Sequence, residues 1–254
     1  MATKPLRSAP KISVQIWRPI NDKLTEKIEA ACLRRDAYLN KVLEVELPEL
    51  DQEVTIANSP AAQKYVAERL DTLDRKLVSL TLDPALIERL NDICRRKNIV
   101  RDAFFNRLFL LLAGSPKIID TLYFDDPAWR AEILEQFRGD SAFVDGVFFP
   151  LDQEINPLWP MREALRLEAD RIGVDSWLNP EGELISVRKS LAGVPMPVSS
   201  IYTVLFPEDK FKDVDLRGLN VYYPDSWIPG SEAQKRERSS LDDLLVPLGK
   251  PSSS

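Results

Sequence analysis

Apolar and polar positions alternate with period two over residues 11–17 and again over residues 76–82. In the first run Ile12, Val14 and Ile16 are separated by Ser13, Gln15 and Trp17; in the second Val78, Leu80 and Leu82 are separated by Leu77, Ser79 and Thr81. Successive side chains of a strand point to opposite faces, so each run predicts a short strand with one buried face. Helical spacing follows each. After the second run, Asp83 is a good N-cap, Pro84 suits the first helical position, and Leu86, Leu90, Ile93 and Cys94 share a face. A polar break at Arg95-Arg96-Lys97-Asn98 precedes a second helix starting near Val100 or Arg101, with Ala103, Phe104, Leu108 and Leu111 on one side. Gly114-Ser115-Pro116 stops it. After the first run, Asn21 is the candidate cap, and Leu24, Ile28 and Cys32 match Leu86, Leu90 and Cys94.

The two stretches, residues 11–47 and 76–114, therefore follow one plan of strand, helix, turn and helix. Their second helices match most closely: Arg35-Asp36-Ala37-Tyr38-Leu39-Asn40-Lys41-Val42-Leu43 runs beside Arg101-Asp102-Ala103-Phe104-Phe105-Asn106-Arg107-Leu108-Phe109. Pairing Cys32 with Cys94 makes the first inter-helix turn the shorter of the two. Between the repeats, residues 48–75 are long enough to return the chain, and Ser59-Pro60 opens a helix with Tyr65, Val66, Leu70 and Leu73 on one side.

These units resemble ribbon-helix-helix DNA-binding domains, the class of the Arc and methionine repressors, and Ile16-Trp17-Arg18-Pro19 is similar to the end of the Arc strand. The resemblance implies an antiparallel ribbon of two strands over a core shared by four helices, formed within one chain as a pseudo-dimer or between two molecules. It also implies double-stranded DNA as the partner, with the ribbon in the major groove. The outward residues Lys11, Ser13, Gln15 and Trp17, with Leu77, Ser79 and Thr81, then face base edges. Gln15 suits adenine, and Leu77 or Trp17 a thymine methyl. Because the two sets differ, the target is not a perfect palindrome. Phosphates fall to the start of each second helix, with Arg35, Arg95, Arg96, Lys97 and Arg101 around it. Asp36 and Asp102 are awkward beside a phosphate and are read as helix caps.

Composition divides the chain. All 9 glycines lie at Gly114 or later, as do four of the 5 tryptophans. The fold expected is mainly α with a short antiparallel ribbon in residues 1–115, followed by a small α+β domain at 116–229 and a flexible tail at 230–254. The helices of the second part are expected from Asp126-Pro127 to Phe137 and over 160–172, and its strands at 184–187, 200–206 and 219–223. Residues 230–238 are read as a polar linker, Leu241–Leu248 as a docking segment, and the end as disordered. A homodimer or higher oligomer, and a protein partner for the second part, are compatible with this plan.

The net charge of −6 resolves into −9 over residues 116–254 and +3 over residues 76–115, so the acidity belongs to the second part. No histidine is present, which excludes a Ser-His-Asp triad, a Cys-His pair, His-ligated metal and a histidine pH switch. Two cysteines cannot form a four-thiolate zinc site, and both are expected to be buried in a reducing compartment. The acid pairs Asp125/Asp126, Asp140/Asp145 and Asp242/Asp243 lack the spacing of a calcium loop, and no glycine-rich phosphate loop occurs. Neither enzyme activity nor a cofactor is expected. No signal-like or membrane-spanning stretch is evident, and a cytoplasmic location is expected. Among DNA-binding roles, repressor, antitoxin and accessory factor in plasmid or mobile-element DNA processing fit equally. The rival reading is a protein-interaction adaptor whose repeats only dimerise.

Overall fold

A computed structural model describes residues 10–123, 200–203 and 213–236, the backbone of three strands between 175 and 197, and several positions within 158–165. The expected helix from Asp126 to Phe137, the acid pairs and the Leu241–Leu248 segment lie outside these residues.

The described part is mainly helical, with β1 (Lys11–Trp17) and β2 (Arg75–Thr81) forming a two-stranded antiparallel sheet within one chain. Helices α1 (Arg18–Ala30) and α2 (Arg35–Glu53) follow β1; α3 (Pro60–Leu70) leads into β2, which is followed by α4 (Pro84–Arg96), α5 (Arg101–Ala113) and α6 (Pro116–Tyr123). A second sheet holds β3 (Asp175–Leu178), β4 (Leu184–Lys189) and β5 (Pro195–Pro197) in sequential antiparallel order. Among the described residues no helix is long and apolar enough to cross a membrane.

The first helix of each pair has 13 residues, and one constant offset relates the two segments. It pairs Arg18 with Pro84, Ile28 with Cys94 and Arg35 with Arg101. The alignment of Cys32 with Cys94 was thus out of register, and the two inter-helix turns are equally long. Cys32 instead corresponds to Asn98. Both adopt left-handed backbone angles, φ 56° and 50°, where the chain reverses between helices. Cys32 is exposed, contrary to expectation, whereas Cys94 is buried and its thiol is pushed up to about 12 by desolvation.

Helix α1 begins at Arg18, with Trp17 at its N-cap position, so Asn21 is no cap. Its side chain is buried within the helix and its carbonyl accepts from Thr25 Oγ1. The caps of α4 and α3 are as expected: Asp83 accepts from Ala85 N–H and Ser59 from Ala62 N–H. Helix α2 runs through Pro48 to Glu53, well past the expected end of the repeat. Helix α5 is buried on every side from Ala103 to Ala113, not along one stripe, because further chain covers its outer face.

One apolar core joins β1, β2 and the helices to Ile201, Tyr202, Leu216, Leu219, Val221 and Tyr222. The expected strands at 200–206 and 219–223 do not form where described. Residues 200–203 are a turn, and Leu216–Leu219 is a 3-10 helix followed by bends. The strand near 184 is β4. Residues 232–236, expected as linker, are helical, and Ser231 Oγ accepts from Gln234 N–H at their start.

Polar groups fasten this cover. On α2, Glu46 is fully buried and accepts from Tyr202 OH (2.5 Å) and Arg162 Nη2 (2.7 Å); Glu53 accepts from Arg162 Nε and Ser200 Oγ. On α5 the fully buried Arg107 donates to Thr203 O and Asn220 Oδ1. Asn58 donates to Val221 O and accepts from Tyr223 N–H. Gly218 lies so close to α3 that a Cβ there would sit 2.3 Å from Leu70 N and 2.5 Å from Leu70 Cα. Backbone cannot yield as a side-chain tip can. Gly218→Ala should therefore lower stability by about 1–3 kcal/mol in thermal or urea unfolding.

Candidate nucleic-acid interface

The register of the ribbon fixes which side chains share its outer face. Lys11 lies opposite Thr81, Ser13 opposite Ser79, Gln15 opposite Leu77 and Trp17 opposite Arg75. Val14, Ile16, Val78 and Leu80 point the other way and are buried. Lys11, Ser13 and Ser79 are exposed, Leu77 is 63% exposed, and Gln15 and Thr81 are half-buried. Trp17 packs in part against the core, so its indole is less available than the other outward side chains.

A two-stranded ribbon leaves an unpaired backbone edge on each side. Here each edge is covered by three side chains of one second helix. On α5, Arg101 Nη2 donates to Ser13 O (3.1 Å), Asp102 Oδ2 accepts from Gln15 N–H (3.2 Å), and Asn106 both accepts from Trp17 N–H and donates to Gln15 O (2.7 Å each). On α2, Arg35 Nη2 donates to Ser79 O (2.7 Å), Asp36 Oδ2 accepts from Thr81 N–H (3.1 Å), and Asn40 accepts from Asp83 N–H (2.7 Å) while donating to Thr81 O (3.0 Å). The correspondence is residue for residue. It explains the matching nonapeptides and corrects the reading of Asp36 and Asp102 as helix caps: neither α2 nor α5 has a side-chain cap, and the carboxylates serve the strands. Asn40 and Asn106 were missed as functional positions, although their recurrence within the nonapeptide was the available signal.

Burial alone would raise the pKa of Asp36, but hydrogen bonds from Thr81 and Arg35 outweigh it and hold the carboxyl below its ordinary value. The carboxylate form is thus the one the ribbon edge selects.

The cations assigned to phosphate are placed unequally. Arg35 and Arg101 flank the ribbon on opposite edges, at the start of α2 and α5. Arg95 is exposed beside Asp92, and Arg96 is shared between Asp92 and Asp51. Lys97 donates to Asp51 O (2.5 Å) and Val54 O (2.6 Å) and is 13% exposed. It fastens the end of α2 over the α4–α5 turn and is not presented to solvent as a free charge. That turn is further covered by Asn58 and Asn98, which bond each other's carbonyls. Ala103 is likewise buried against Ala62, Val66 and Tyr223. The matching turn between α1 and α2 is open: Cys32, Arg34 and Ala37 are exposed, and Leu33, Arg34 and Ala37 line a groove of about 830 Å3.

Among the described residues no group of three His, Cys, Asp or Glu side chains is gathered as a metal ion would need. Comparison with protein-family models, with curated sequences and with solved structures finds no match.

Two outcomes follow from the clamps. Asn106 is fully buried and replaces a ladder partner, so Asn106→Leu, which strips its bonds to Gln15 and Trp17, should cost about 2–4 kcal/mol in urea unfolding. Since the folded state lowers the pKa of Asp36, its contribution is present above the ordinary carboxylate range and is lost as pH falls through the folded value. Asp36→Asn should therefore lower the neutral plateau of a stability-against-pH curve and flatten its acid limb, the two proteins converging in acid. An unchanged acid limb would contradict this role.

Proposed function

We propose that β1–α1–α2 and β2–α4–α5 are two ribbon-helix-helix units joined in one chain as an internal pseudo-dimer, and that the protein binds double-stranded DNA sequence-specifically through this ribbon. The observation that carries the reading is the clamping of both ribbon edges by the recurring Arg, Asp and Asn. With its edges closed the ribbon cannot recruit further strands, and only its outer face is offered to a partner. That face carries Lys11, Ser13, Gln15, Leu77, Ser79 and Thr81, a set suited to the donors, acceptors and methyl groups of the major groove. A two-stranded antiparallel ribbon has the width the groove admits.

Arg35 and Arg101, one on each edge, then stand where the two phosphate backbones would pass, close to the uncapped first turns of α2 and α5. The net negative charge of the chain does not oppose this, because it is concentrated after residue 115. A transcriptional regulator, most simply a repressor, or an accessory protein in plasmid or mobile-element DNA processing would use such a module, with double-stranded DNA as partner and the cytoplasm as location. The region after residue 115 covers α2 and α5 from behind, and its remaining surface is then available for oligomer formation or a protein partner.

Selection of bound duplexes from a random pool tests the reading. An enriched motif is expected, with affinity falling steeply as salt rises. Gln15→Ala should relax preference at one base pair at a cost of about 1–3 kcal/mol, whereas Arg101→Ala should weaken all sequences alike and reduce the salt slope by about one. No motif, and no retention even at low salt, would overturn the reading in favour of an adaptor in which the ribbon only holds the fold together.

A further inference from the structure

We infer that the duplex target is oriented, with an A·T pair on the Gln15/Leu77 side of the ribbon centre and a G·C pair on the Lys11/Thr81 side. This rests on the DNA-binding reading above and adds the polarity of the site. The constant offset between the two segments pairs Lys11 with Leu77, Ser13 with Ser79 and Gln15 with Thr81. The strand register places Ser13 directly opposite Ser79. The pseudo-two-fold axis therefore passes between these two serines, and Arg101 and Arg35 reach their carbonyls from opposite edges. The backbone and its clamps obey this axis, but the outward side chains do not. A true two-fold would place the same two residues at both ends. Here one end holds Gln15 opposite Leu77 and the other Lys11 opposite Thr81.

The chemistry of the two ends differs in kind. Directly opposed side chains have Cβ atoms about 4.5–5.5 Å apart, so each pair addresses one base pair or two neighbours. A glutamine amide bonds adenine N7 and N6 together, and an exposed leucine beside it packs on a thymine methyl. Leu77, 63% exposed, offers nothing to the polar edge of a G·C pair and would leave those groups desolvated without partners. A lysine ammonium donates to guanine O6 and N7 and is repelled by the adenine amino group, while the Thr81 hydroxyl accepts or donates to either base. The central serines are tolerant. Lys11 and Gln15 lie about 13 Å apart along the strand, which corresponds to roughly four base-pair steps.

The exposed Cys32 permits a direct test, because it accepts a tethered iron chelate while Cys94 is buried. Cys32 lies in the turn just before Arg35, whose side chain bonds the β2 edge, and the matching position before Arg101 at the β1 edge is Asn98. Full-length protein labelled at Cys32 should cleave the selected motif at one position relative to the A·T and G·C pairs. The exchange of the two sets, Lys11→Leu with Leu77→Lys and Gln15→Thr with Thr81→Gln, keeps the surface composition but reverses its order. Cleavage should then move to the two-fold-related position on the other strand of the same motif. As a second readout, Leu77→Ala should reduce the preference for A·T at its position about tenfold and leave the G·C preference intact. Cleavage that stays in place after the exchange, a palindromic motif, or a motif without this A·T and G·C polarity would overturn the orientation while leaving DNA binding standing. Failure to select any motif would instead overturn the proposed function.

Discussion

The structure depends on how the open edges of a two-stranded ribbon are closed. Each edge presents backbone N–H and C=O groups that need partners, and a lone hairpin-sized sheet is marginal in water. The chain answers with one arginine, one aspartate and one asparagine at the same three positions of α2 and α5. The clamps are exchanged: α5 from the second segment serves β1 from the first, and α2 from the first serves β2 from the second. Neither segment can therefore complete its own ribbon. Joining both in one chain makes their meeting intramolecular and independent of concentration.

Closure of the edges leaves the outer face as the free surface of the sheet, and the rest of the described chain keeps that arrangement fixed from behind. Helix α2 runs unbroken from Arg35 and Asp36 at the ribbon to Glu46 and Glu53 on its far part, where Arg162, Ser200 and Tyr202 hold it. Helix α5 likewise carries Asp102 and Asn106 toward the ribbon and Arg107 toward Thr203 and Asn220. Charges buried this deeply are costly unless paired, and losing one partner leaves the other stranded. The cover is thus coupled to both helices that hold the ribbon edges. It is also one-sided, burying the α4–α5 turn while the α1–α2 turn stays open. A near-symmetric ribbon sits in an asymmetric body.

Much of the ribbon was legible because its signals are local. Alternation at Ile12, Val14, Ile16 and at Val78, Leu80 gave both strands, and Asp83-Pro84 and Ser59-Pro60 gave two helix starts. The errors have physical causes. A shared cysteine suggested an alignment that the backbone does not follow, since the turn conformation at Cys32 and Asn98, not side-chain identity, marks equivalence. Asn21 has a capping side chain, but Pro19 already sets the helix start one turn earlier. The run Leu219–Tyr223 is apolar enough for a strand, yet it packs irregularly because Gly218 brings its backbone against α3 and Asn58 satisfies Val221 and Tyr223. The edge clamps themselves join residues about 40 to 90 positions apart, a range at which no periodicity carries information. Only their recurrence hints at a shared role, and locally the aspartates look like caps and the arginines like phosphate contacts.

The proposed function requires a single chain to supply the whole ribbon that reads DNA. Its most direct test is the stoichiometry of the complex between the full-length protein and a duplex bearing its selected motif. This is measured by titration well above the dissociation constant and by sedimentation. One chain per motif is the predicted result, with no dependence on protein concentration. Two chains per motif, or a complex that forms only as the free protein dimerises, would contradict a ribbon completed within the chain.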